Sequence, residues 1–90
     1  MLSYLDCVGL CDLTEAEIDA IAEHEHLPRL VALELGEYLI HSPEGVPMIR
    51  KMIVDDIAHA REHGDWERAL TLRATLRHFI QTHPEHTADA

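Results

Sequence analysis

The chain is poor in several things that define other protein classes. Among 90 residues there are only four glycines and four prolines, too few for a loop-rich or disordered polypeptide. Aromatic residues make up 4% against 47% apolar residues in all, so a core must be built from Leu, Ile, Val, Ala and Met. Basic residues are scarce: seven Lys and Arg face seventeen Asp and Glu, for a formal charge of −10. Nucleic-acid binders need a basic face to displace counterions, and anionic membrane surfaces attract basic segments, so neither is expected as a partner. No apolar run approaches the ~18 residues of a membrane span. The N-terminal MLSYLDCVGLCDL lacks a basic region and carries Asp6 and Asp12 inside its apolar stretch, which fails the signal-peptide pattern. A cytoplasmic location is therefore expected, with Cys7 and Cys11 as thiols. No nucleophile with an obvious base, Gly-rich phosphate loop or aromatic–basic patch is present, which leaves the common hydrolase, kinase and nucleotide-binding classes without support.

What the chain does have is helical periodicity and histidine. Its length suits one domain over 1–90, and a core this small would gain from an oligomer or a bound metal. Thr14-Glu15-Ala16-Glu17 is a capping box that opens a helix with Ile18, Ile21 and Ala22 on its apolar face. Pro28 either kinks that helix or begins a new one, and Leu27 to Ile40 is apolar on nearly every side, which predicts the most buried helix. Gly36 within it would permit a close approach. Pro47 suits a first turn, Gly64 a helix end and Asp65 an N-cap. These signals predict an all-α fold, a compact bundle of about four helices over 14–26, 28–41, 47–63 and 66–82, homodimeric. Residues 1–13 read as an apolar arm and 83–90 as a frayed polar tail.

Ligand-type side chains are densest at Glu23-His24-Glu25-His26. Alternate helical residues lie ~200° apart, so the four cannot grip one ion together. Glu23 and His26, three apart, can converge. Otherwise His26 serves the helix C-terminus, where its cation suits the dipole. Glu25 falls in the phase of the apolar face, as does Asp56 on the third helix, and a buried carboxylate needs a partner. A shared metal, with His59, would satisfy both; so would Arg29, Arg50, Arg73 or Arg77. Glu34 and Glu37 are further candidate carboxylates. Asp55, His59 and His63 form a ladder of four-residue steps that reads as a metal site or a solvated face. The metal candidates are thus Glu23, His26, Glu25, Asp56 and His59, with iron or zinc as the ion. The alternative is a non-enzymatic interaction module that pairs through the Leu-rich arm and the second helix.

The runs LTEAEIDAIAEHEHLP, VPMIRKMIVDDI and HFIQTHP resemble a group of short uncharacterised all-α bacterial proteins with an EHEH block. That resemblance spans roughly residues 13 to 84 and implies a compact helical protein, with no activity attached. Glu23-x-x-His26 is also similar to the Glu-x-x-His element of ferritin-like di-iron helices, where two such motifs hold the metal pair. One motif per chain would make a two-fold dimer necessary.

Overall fold

The computed structural model describes residues 3–84. Five helices follow one another: α1 (Tyr4–Gly9), α2 (Glu15–Glu25), α3 (Arg29–Ile40), α4 (Gly45–Glu62) and α5 (Trp66–Thr82). No strand occurs among the described residues, so the predicted all-α class is what the chain adopts. Residues 1–2, and most of the expected tail, 85–90, lie outside the described residues.

Local chemistry accounts for most boundaries. The Thr14 hydroxyl accepts the Glu17 N–H at 3.2 Å, and Glu17 Oε1 accepts the Thr14 N–H at 2.9 Å, the reciprocal box read from sequence. The Asp65 carboxylate accepts the Arg68 N–H at 3.2 Å and starts α5. Gly64, at φ +72°, stands where the chain leaves α4 in the left-handed region that glycine tolerates. Pro28 is the N-cap of α3, so it divides two helices rather than kinking one. α4 begins at Gly45, two residues before the expected start, and Pro47 sits inside its first turn, where a missing N–H is harmless.

The arm is more regular than expected. Ser3 and Asp6 form a second capping box, each accepting the other's N–H at 3.1 Å, and one and a half turns of helix follow. Tyr4, Cys7, Val8 and Cys11 pack on the core, and Leu13 is buried. Both cysteines are free thiols. The Tyr4 hydroxyl has no hydrogen-bond partner among the described residues. Its pKa is raised, mainly by burial and further by Asp19, with Arg29 opposing.

α4 meets α2, α3 and α5, and the core lies between its Ile49, Met52 and Ile53 and the fully buried Ile18, Ile21 and Phe79 of α2 and α5. The apolar positions named for the first predicted helix, Ile18, Ile21 and Ala22, are buried, but α3 is not the most enclosed helix. Ala32, Leu33, Gly36 and Leu39 face inward, while Leu30, Val31 and Tyr38 remain exposed, since its neighbours cover only one side. Gly36 serves the predicted close approach: a Cβ there would stand 2.5 Å from Leu13 Cδ1 and 3.0 Å from Ile21 Cδ1.

Candidate metal site

The EHEH block closes α2, and helix termination decides its fate. His26 is the C-cap and takes φ 58°, ψ 46°, with its N–H donated to the Ala22 carbonyl. That left-handed residue no longer follows the helical phase, so the convergence with Glu23 that regular geometry predicts does not apply. Glu23 is exposed and pairs with Arg68 of α5. Glu25 keeps the core phase, yet the buried part of α2 ends at Ala22. Beyond it Glu25 is exposed and pairs instead with His24 Nδ1 at 2.9 Å. Phase places a side chain on a face, but only a neighbouring element buries it.

The remaining candidates join no converging group of three ligands among the described residues. Asp56 is half-buried on α4 and His59 is exposed. His59 and His63 stack with ring centroids 4.1 Å apart, and His63 Nδ1 lies 2.9 Å from the His59 carbonyl oxygen. Asp55 pairs with Lys51 at 3.4 Å, so the ladder forms a stack and an ion pair. Three of the four arginines proposed for Glu25 and Asp56 pair with neither of them among the described residues. Arg29 Nε is 2.9 Å from Asp19 Oδ1, and Arg73 and Arg77 are in no ion pair among the described residues.

The buried carboxylate is Glu17, which is 0% exposed. Its Oε1 completes the capping box, and its Oε2 lies 2.9 Å from His78 Nδ1 on α5. His78 points away from the core face of its own helix, as its phase predicts, but reaches across to α2 from the flank.

Among the described residues, one group of three ligand-type side chains converges: Asp12, Glu37 and His41, whose ligand atoms all lie within 4.8 Å of one another. Glu37 and His41 stand one turn apart at the end of α3, and Glu37 Oε2 is 3.4 Å from His41 Nε2. Asp12 comes from the turn after α1, with Oδ2 3.9 Å from the same nitrogen. Its backbone N–H donates to Glu37 Oε1 at 2.9 Å, which holds the carboxylate with its second oxygen toward the imidazole. Ligands at ~2.1 Å around one ion stand roughly 3–3.5 Å apart, so small side-chain rotations would bring the three into range. Asp12 and His41 are exposed and Glu37 is half-buried, so water could complete the coordination shell. Without a metal, a protonated His41 would pair with both carboxylates and suit the C-terminal end of α3.

Of this set, sequence reasoning named only Glu37. The Glu37-x-x-x-His41 spacing is visible in the chain, whereas the third member arrives from 25 positions away. The chain matches no protein-family model, no curated protein and no solved structure. Fold and site alone define it, as an all-α protein with a surface carboxylate–imidazole cluster. Among the described residues no helix is long and apolar enough to cross a membrane.

Proposed function

We propose that the protein binds a divalent transition metal through Asp12, Glu37 and His41. The convergence of two carboxylates and one imidazole carries this reading, supported by the Asp12 N–H that orients Glu37. Two oxygen donors and one nitrogen suit iron(II) or manganese, and zinc competes through its general affinity for such sites. Three protein ligands leave positions open for water or an exogenous ligand. Binding couples α1 to the end of α3, so the ion would add stability to a small fold.

The test is equilibrium dialysis of untagged protein against zinc, manganese or iron(II), with the bound metal quantified. One ion per chain is expected. Uptake should weaken on acidification, because imidazole must be neutral to ligate. His41→Ala should reduce affinity more than the ~10–100-fold typical of losing an outer orienting partner. Glu23→Ala should leave uptake unchanged. Wild-type protein without stoichiometric metal, or full binding by His41→Ala, would overturn the assignment.

A second reading, self-association, is favoured by one observation. Leu10 is 77% exposed and Tyr38 70% exposed, with Leu5, Leu30 and Val31 also uncovered, on the segments singled out as a pairing surface. α1 and α3 are in contact, so these side chains belong to neighbouring elements. Sedimentation should then show a concentration-dependent dimer that Leu10→Glu with Tyr38→Glu dissociates. A wild-type monomer at high concentration would exclude it.

A further inference from the structure

We propose that the outer face of α4 and α5 docks an acidic amphipathic helix of a partner protein. Trp66, Leu70, Arg73, Arg77 and Ile80 follow one another at steps of three and four residues, forming one exposed stripe along α5. The core face of that helix is a different one, marked by Ala69, Leu72, Thr75 and Phe79. On α4, the exposed Val54, Ala58 and Arg61 recur at the same steps. Ala58, Arg61, Glu62 and Trp66 line one hollow of about 360 Å³, which joins the two stripes near the turn between the helices and sets one arginine beside one glutamate. A second hollow of about 340 Å³ lies further along α5, against Arg73, Leu76, Arg77 and Ile80.

Charge selects the occupant. The chain carries a formal charge of −10 and only seven basic side chains. Three of them, Arg61, Arg73 and Arg77, lie on these two stripes and are in no ion pair among the described residues. Apolar side chains set between unpaired arginines complement leucines set between carboxylates. A second copy laid on this face about a two-fold axis would oppose arginine to arginine, which is repulsive. Nucleic acid would meet the arginines but has no apolar side to cover Trp66, Leu70 and Ile80 between them. From Trp66 to Arg77 the helix rises about 16 Å, so a docking helix with apolar anchors three turns apart reaches both hollows.

Trp66 is the chain's only tryptophan and 60% exposed, which makes its emission a direct reporter of this face. The probe is a capped, tryptophan-free helical peptide with Leu along one side and Glu elsewhere, titrated into the full chain. Controls are the same peptide with Lys for Glu and a short DNA duplex. The Glu peptide should shift Trp66 emission saturably to shorter wavelength, and added salt should weaken it. Arg73→Glu with Arg77→Glu, both at exposed positions, should weaken binding by about tenfold or more with the helical circular dichroism unchanged. The absence of a saturable shift would overturn the proposal. So would equal binding of the Lys peptide, tighter binding of the duplex, or undiminished binding by the double variant.

Discussion

Replacing Gly45 by alanine should cost about 3 kcal/mol or more, measured as the loss in urea-unfolding free energy relative to wild type. Gly45 opens α4 and is buried against the end of α3. A Cβ placed there would overlap the Leu39 carbonyl oxygen and carbon, with Leu39 Cα close behind. A side chain that is overpacked can change rotamer; a carbonyl that closes a helix can yield only by moving the helix. Net stability of such domains is about 5–15 kcal/mol, and a chain of this size belongs near the lower end, so this one methyl group should bring it close to unfolding. Gly9→Ala is the control. Nothing lies within 4 Å of its added Cβ and its φ is not in the left-handed region, so it should be neutral or stabilise by up to ~1 kcal/mol. A Gly45→Ala variant as stable as Gly9→Ala would mean that α3 and α4 do not meet as described. Because Glu37 and His41 sit on the same end of α3, any displacement there should also weaken metal uptake.

The contrast between Gly45 and Gly64 shows how far the sequence could be read. Gly64 was legible as a helix end because its role is local: it follows α4, precedes Asp65 and takes a positive φ. Thr14, Pro28 and Asp65 belong to the same kind, since caps and proline act within a few residues of themselves. Gly45 follows proline and glutamate in a turn, and its approach to Leu39 is a tertiary fact without a local signature. The helix at 4–9 was obscured for a related reason: Gly9 and the irregular apolar spacing mask it, and its Ser3–Asp6 box is seen only in the structure.

The candidate site divides along the same line. Periodicity correctly placed Glu25 in the phase of the apolar face, yet burial required a neighbour that the end of α2 does not have. The dense EHEH block therefore became two ion pairs and a left-handed cap. Asp12 carried no pattern at all, being joined to Glu37 only by the return of the chain after α1. A pair of ligands one turn apart is readable from sequence; the third ligand, supplied by topology, is not.

Removing Glu17 tests whether a residue recognised for a local role also has a tertiary one. Glu17→Ala should destabilise the protein by about 3 kcal/mol, which for a domain of this size lowers the melting temperature by on the order of 15 °C. Loss of the capping box accounts for about 1 kcal/mol. The remainder comes from the charged hydrogen bond to His78 and from the void left at a position that is 0% exposed. Glu17→Gln separates these terms: its amide oxygen can still accept the Thr14 N–H, and its volume is retained, so it should lose only about 1 kcal/mol. His78→Ala should cost less than Glu17→Ala, because the His78 side chain is 51% exposed and its removal admits water to Oε2. Thermal unfolding of the three variants gives the order directly. Equal losses for alanine and glutamine would assign the effect to charge rather than capping and packing. A loss below ~0.5 kcal/mol in Glu17→Ala would show that the α2–α5 contact does not depend on this carboxylate.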